Sequence, residues 1–378
     1  MKAVIAIDSF KGSLSSLEAG GAIREAFLRA FPEGEAIVRP LADGGEGTVE
    51  ALCAGLGGEM IRTQVTGPLG ETVTAKYCIV KGGTAVIEMA EAAGLPLVPY
   101  ELRDPMFTTT YGVGELILHA IERGCRSFIV GIGGSATNDG GVGMLSALGF
   151  EFFDKNGNPI DRCAKGLEDL ASVSAANMNP ALRECSFKVA CDVNNPLCGE
   201  RGCSAVYAPQ KGATPEAVKI MDEWLGKYAE TVKKVFPDAD PEYPGVGAAG
   251  GLGFAFKTFL GASLESGISI ILRETELEKY VAEADVVITG EGRIDFQTAM
   301  GKAPIGVAKL AKKHGKKVVA FAGCVTEDAE ECNLHGIDAF FPIVRKPCTL
   351  EEAMNVDNAY KNLKDTAIQV FRLIAKGI

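Results

Sequence analysis

Residues 2–48 read KAVIAIDSFKGSLSSLEAGGAIREAFLRAFPEGEAIVRPLADGGEGT. The opening KAVIAI (2–7) is an apolar run of strand length, the pattern of a strand buried on both faces. Residues 15–31 place Leu17, Ile23, Phe27 and Phe31 roughly on one side of a helix. EAIVRPLA (35–42) reads as a second strand and 46–57 as another helix. This β-α-β-α order is that of a doubly wound parallel sheet.

Further along, the rhythm changes. RTQVT, TVTAKYCIV and TAVIEM, within residues 61–89, are extended pieces split by Gly-Pro and Gly-Gly turns, an antiparallel insertion. Helices are predicted over 112–124, from 141 and over 215–235, with strands at 127–132 and 187–192 and a hairpin turning at Lys155–Asn158. From 285 the α/β rhythm returns, with strands 285–289, 317–322 and 338–344 and helices over 304–314 and 351–375. The expectation is an α/β chain of two domains. Residues 1–75 plus 265–378 form a discontinuous, doubly wound, Rossmann-like domain, and 76–264 an inserted mixed α/β domain.

The 378 residues carry 38 Lys+Arg against 49 Asp+Glu, a formal charge of −11. A general nucleic-acid binder needs a positive field to displace counterions, so no nucleic-acid partner is expected. Phosphorylated ligands stay open, because a few local cations or a metal reverse the field. No apolar run approaches the roughly 18–20 residues that span a bilayer, so no membrane partner is expected. Eleven cysteines without a C-x-x-C pair read as idle thiols of a reduced, cytoplasmic protein. Three histidines, widely spaced, argue against a histidine-built metal site.

Five stretches lie at predicted strand ends, where open α/β sheets bind their ligands. Asp8-Ser9-Phe10-Lys11-Gly12-Ser13 offers hydroxyls and a point charge to an anion, or makes a plain capped turn. Asp43-Gly44-Gly45-Glu46 holds two acids that suit a proton or a metal, or an N-cap with its capping box. Gly131-Ile132-Gly133-Gly134-Ser135-Ala136-Thr137-Asn138-Asp139 contains G-x-G-x-x-A, with Asp154 placed 18 residues beyond Ala136. That makes an NAD(P)-dependent oxidoreductase of a small hydroxy acid the alternative reading. Against it, the polar S-A-T-N-D run stands where the fingerprint needs an immediate helix, and suits a phosphate or carboxylate cradle. Asp192 ends FKVACD, an acid suited to Mg²⁺ or to proton abstraction. The fifth stretch, Thr289-Gly290-Glu291-Gly292-Arg293-Ile294-Asp295 and on to Lys302, mixes acids, cations and glycines as phosphoryl transfer does. GAAGGLG (247–253) reads as small-residue packing or a close approach to a ligand. No Walker P-loop, protein-kinase motif or G-x-S-x-G occurs.

Taken together, DSFKGSLS (8–15), LADGGEGT (41–48), GIGGSATNDGG (131–141), GAAGGLG (247–253), TGEGRIDFQT (289–298) and GKAP (301–304) resemble the bacterial glycerate kinase family. The resemblance spans nearly the whole chain. It implies an ATP-dependent kinase of D-glycerate, with the 2-hydroxyl favoured as acceptor, and two α/β domains with the active site in the cleft between them.

Roles for single residues come from physical chemistry rather than from the resemblance. Asp192 or Asp295 is the expected base, the other helping to hold Mg²⁺ with Glu291. Lys11, also a catalytic candidate, is expected on the phosphates of ATP with Lys302 and the amides of Gly133, Gly134, Gly290 and Gly292. Ser9, Ser135, Thr137, Asn138 and Arg293 are expected on the glycerate. Asp43, Glu46 and Asp139 are further candidates. Expected ligands are D-glycerate and Mg²⁺-ATP, and a homodimer is kept open as the assembly.

Overall fold

The structure, a computed structural model, describes residues 1–42, 44–45 and 47–377. Asp43 and Glu46, two of the site candidates, therefore lie outside the described residues. In chain order the strands are β1 (Lys2–Ile5), β2 (Glu35–Val38), β3 (Glu59–Thr66), β4 (Thr72–Val80), β5 (Thr84–Glu88), β6 (Ser127–Gly131) and β7 (Glu151–Phe153). There follow β8 (Ser172–Ser174), β9 (Ser186–Ala190), β10 (Ser263–Glu265), β11 (Val286–Ile294), β12 (Lys317–Val325) and β13 (Ala339–Pro342). The chain divides into two compact units. The first comprises Met1–Asp43, Glu50–Leu56 and Ile268–Ile378, and the second Gly44–Val49 and Gly57–Gly267.

In the first unit the strand order is β13-β12-β11-β1-β2, all parallel. The apolar run at the N terminus lies inside this sheet, with Ala3 paired to Val286 and to Ala36. The order reverses at β1: β2 lies on one side and the late strands on the other. Helices Ser16–Ala30 and Val356–Ala375 pack together over one face, where Phe27 meets Phe371 edge-on at 5.3 Å. Each such ring, removed from water, stabilises the fold by about 1.5–3 kcal/mol. The first helix starts where its sequence says it should. Ser15 accepts from Glu18 N at 3.2 Å while Glu18 accepts from Ser15 N at 2.8 Å, a capping box. One step on, Ser16 Oγ donates to Ile7 O and accepts from Leu41 N, tying β1 to the segment after β2.

The second unit holds a mixed sheet, β10-β9-β6-β5-β4-β3. β3, β4 and β5 form the antiparallel meander, and β5, β6, β9 and β10 run parallel. Its core includes Phe128 stacked on Phe187 at 4.7 Å and the buried helix Ala248–Leu260. No helix among the described residues is long and apolar enough to cross a membrane.

Four details differ from expectation. The chain enters the second unit for Gly44–Val49, returns for Glu50–Leu56 and crosses for good at Leu56/Gly57 rather than after 75, because β3 pairs with β4 along its whole length and cannot be parted from it. The second boundary falls at Gly267/Ile268 instead of 264/265. The turn after β7 forms, with Asp154 N donating to Asn158 O at 2.8 Å. Yet β7 pairs mainly with β8, and its return arm makes a single bridge at Pro159, which has no N–H to extend a ladder. The last helix is two, Leu350–Met354 and Val356–Ala375, because Asn355 caps the second by accepting from Asn358 N.

Candidate active site

In the first unit, the carboxyl ends of β1, β11, β12 and β13 open onto one cavity of about 690 Å³. Asp8, Ser9, Lys11, Glu291, Gly292, Arg293, Asp295 and Lys302 all line it, so two of the five predicted stretches meet here. Phe10 and Leu14 are buried in the core and hydrogen-bond to each other's backbones, which leaves Lys11 exposed between them. Asp8 is buried and accepts from Ser9 N at 2.6 Å. Ser13 Oγ, on the same wall, is buried with no hydrogen-bond partner among the described residues.

β11 brings the fifth stretch to the same place. Gly290 has φ +150°, and a Cβ there would lie 1.9 Å from Phe321 O, so β11 and β12 approach too closely here to admit a side chain. Gly292 lies beside the backbone of Phe10 and Lys11. Asp295 is the N-cap of helix Phe296–Ala299: its Oδ1 accepts from Gln297 N at 2.9 Å and Thr298 N at 3.2 Å. Thr298 Oγ1 donates to Glu291 Oε1 at 2.7 Å and accepts from Asp295 N, so it couples the two acids. Around them the cations are loose. Arg293 Nε is 3.4 Å from Asp295 Oδ2, and Lys302 Nζ is 3.8 Å from Asp295 Oδ1 and 4.0 Å from Glu291 Oε2. Among the described residues no group of three or more His, Cys, Asp or Glu side chains is placed to hold a metal ion. Two converging carboxylates do match how Mg²⁺ is held when substrate phosphates complete its shell.

The second unit gathers the third and fourth stretches, with Gly44 of the second, at the ends of β6 and β9. A Cβ on Gly131 would meet Gly44 O at 2.5 Å, and one on Gly44 would meet Ala190 Cβ at 2.7 Å. Gly133 and Gly134 form an exposed tip. Asp192 follows β9, is exposed, and accepts from Gly267 N at 3.1 Å. Ser135 Oγ accepts from Lys211 Nζ at 2.7 Å, and the same ammonium donates to Thr137 O at 2.6 Å.

Thr137 and Asn138, expected on the substrate, are instead wholly buried, and Asn138 Nδ2 donates to Ser204 Oγ at 2.8 Å. Asp139 is also fully buried. It accepts from Thr110 N, Thr110 Oγ1, Gly141 N and Gly143 N, and burial still drives its carboxyl above the usual range. Asp139 and Asn138 Nδ2 thus bond within the protein, whereas Thr137 Oγ1 and Asn138 Oδ1 are buried with no hydrogen-bond partner among the described residues. GAAGGLG resolves as packing: Gly140 N donates to Gly250 O at 2.9 Å. Asp154 is also accounted for, since both its oxygens accept from Asn156 and Asn158 in its own turn. The loop after β6 runs to Gly141 before helix Val142–Ala147 begins, which is not dinucleotide-fingerprint geometry.

Two residues escaped the sequence reading. Glu88 ends β5, is buried, and accepts from Val49 N at 2.8 Å. An acid closing the apolar run TAVIE is the signal that singled out Asp192, and it applied equally here. Lys211 is buried, and desolvation pushes its ammonium down to about 8. Nothing near Lys211 in sequence announced it, because its partners lie 74 and 76 residues away.

Comparison with known proteins agrees along the whole chain. The glycerate kinase family model matches residues 3–375. A protein of Haemophilus influenzae named glycerate kinase is 48% identical over 376 residues, 99% of either chain. An Escherichia coli protein named glycerate 2-kinase is 47% identical, covering 100% of this chain and 99% of its own. The crystal structure of a putative glycerate kinase 2 from Salmonella typhimurium superposes with a TM-score of 0.92 at 47% identity, over 100% of this chain and 99% of that one.

Proposed function

Because the chain belongs to the glycerate kinase family, we propose that it transfers the γ-phosphoryl group of Mg²⁺-ATP to the 2-hydroxyl of D-glycerate. The products are 2-phosphoglycerate and ADP. The observation that carries the choice of hydroxyl is the full-length likeness to the Escherichia coli protein named glycerate 2-kinase.

Such a reaction needs charge neutralisation and positioning more than covalent help. Lys11 and Lys302 are proposed to offset the phosphates. Glu291 and Asp295 are proposed to hold the Mg²⁺ that arrives on the nucleotide, displacing the loose cations now beside them. The metal would neutralise charge on the transferring group. In the second unit, the exposed amides of Gly133 and Gly134, with Ser135, suit the acceptor's carboxylate. Asp192, exposed at a strand end, is proposed as the base that takes the hydroxyl proton as the new P–O bond forms and ADP leaves.

Purified protein with Mg²⁺-ATP should release ADP in proportion to added D-glycerate, and the phosphorus NMR spectrum of the product should be that of 2-phosphoglycerate. A flat ADP trace over a broad glycerate range would sink the assignment. A 3-phosphoglycerate spectrum would overturn the choice of hydroxyl alone. Excess EDTA should abolish turnover and Mg²⁺ restore it.

A further inference from the structure

We infer that the cavity of the first unit seats the adenine nucleotide, its phosphates at the Lys11–Lys302 end and its base against Ile343, Val344, Leu350 and Met354. The inference rests on the phosphoryl-transfer reading above and adds where that co-substrate binds.

The cavity has two chemically distinct ends. One sits where the strand order reverses, between β1 and β11, and carries Lys11, Arg293 and Lys302 beside Asp8 and the two acids proposed for Mg²⁺, Glu291 and Asp295. Ligands of open parallel sheets bind at such a reversal. The other end lies beyond β13 and is walled by Ile343, Val344 and helix Leu350–Met354. Val344, Leu350 and Met354 are 39%, 75% and 36% exposed, although large and apolar. Single exposed apolar residues are ordinary, but three on one wall of a concave site mark a ligand face. Met354 also reaches the turn after β1, since a Cβ on Gly12 would come within 2.6 Å of its Cε. The apolar wall thus extends from the end of β13 back to the turn that carries Lys11, with Met354 at its inner edge.

Of the two co-substrates only one matches both ends. Glycerate has three carbons bearing a carboxylate and two hydroxyls, and no apolar face with which to cover that wall. Adenine is flat and largely apolar, and its triphosphate needs cations at the opposite end. In a chain of net charge −11, that need is met only where cations are gathered locally.

The test uses the full-length protein and two thiols already in place. Cys324 and Cys348 line this cavity, and they are the two exposed cysteines among the described residues. Alkylation of each cysteine is followed by mass spectrometry with ADP, adenosine, tripolyphosphate or D-glycerate present. ADP at ten times its Kd should slow both thiols roughly tenfold, because about a tenth of the sites stay empty. Adenosine should shield Cys348, while tripolyphosphate and D-glycerate alone should not. Cys163 and Cys185, in the second unit, should react at unchanged rates. If the protein turns over glycerate and binds ADP by calorimetry, yet both thiols react as fast as without ligand, the nucleotide site is elsewhere and the kinase reading stands. If neither ADP binding nor glycerate-dependent turnover is found, both readings fall. Leu350→Glu, a change at an exposed position, should weaken ADP about tenfold by losing one apolar contact. It should leave the KM for D-glycerate unaltered; an unaltered ADP affinity would count against the apolar wall.

Discussion

Asp192 and Asp295 look alike in the sequence and differ in what holds them. Asp295 spends an oxygen on capping a short helix, so two effects overlap in any change there. Asn is as good an N-cap as Asp, whereas Ala is not. Asp295→Ala should therefore lower stability by about 1 kcal/mol, and Asp295→Asn should not. If the carboxylate also meets Mg²⁺, both variants should lose turnover to a similar degree; an Asn variant as active as wild type would reduce the residue to a cap. Asp192→Asn, in contrast, should cut kcat by about 10²–10⁴ while leaving ADP affinity intact, as a lost base does. Near-normal kcat in that variant would end its role.

Lys211 makes a different residue-scale prediction, about pH. Burial lowers its pKa from 10.5 to about 8. Below about 8 the folded and unfolded chains are both protonated there, and the contribution is constant and unfavourable. From about 8 to 10.5 the unfolded chain holds a proton that the folded chain has released, so stability rises with pH across that window. The gap in unfolding free energy between wild type and Lys211→Met should shift towards wild type by on the order of a few kcal/mol over that range. Denaturant melts of the two proteins at matched pH measure it. A gap that stays level would mean that Lys211 keeps an ordinary pKa.

Elements show where the sequence spoke and where it could not. β1, β11 and β12 were legible because each is an apolar run, bounded by glycine or an acid, that parallel strands buried on both faces require. The loops that line the cavity followed, since they sit at the ends of those runs. What did not follow was the direction of each side chain within a loop. Ser135, Thr137 and Asn138 stand almost adjacent and all three are buried, because Lys211 arrives from far downstream to hold Ser135 Oγ and Thr137 O, and Ser204 to accept from Asn138 Nδ2. The domain boundary was missed for a related reason: β3 is identified as part of the second sheet only by its pairing with β4. Glycine within an element also carries a specific prediction. Gly290→Ala puts a methyl 1.9 Å from Phe321 O, where two backbones leave no room to relax. A destabilisation of roughly 3 kcal/mol or more is expected, at the upper end for overpacking, with a matching fall in Tm. A Tm within a degree or two of wild type would show that β11 and β12 can part there.

At the scale of the whole molecule, the two units differ in how their chains are gathered. The core of the first joins Ala3–Phe27 to Val286–Phe371, so residues from both ends of the sequence must meet before it exists. The core of the second runs from Ile61 to Ala262 and lies wholly inside the uninterrupted stretch Gly57–Gly267. A unit with a contiguous chain and its own apolar core has no loop to close against distant sequence, and can form first during synthesis. Residues 57–267 expressed alone should therefore fold cooperatively, losing from their unit only Gly44–Val49, of which Gly44 lies beside Gly131 and Val49 N donates to Glu88. The expected result is one sigmoidal thermal transition, lowered from that of the full chain, with far-ultraviolet circular dichroism of mixed helix and strand. A fragment that melts gradually or shows no ordered secondary structure would mean that the second unit depends on the first for its stability.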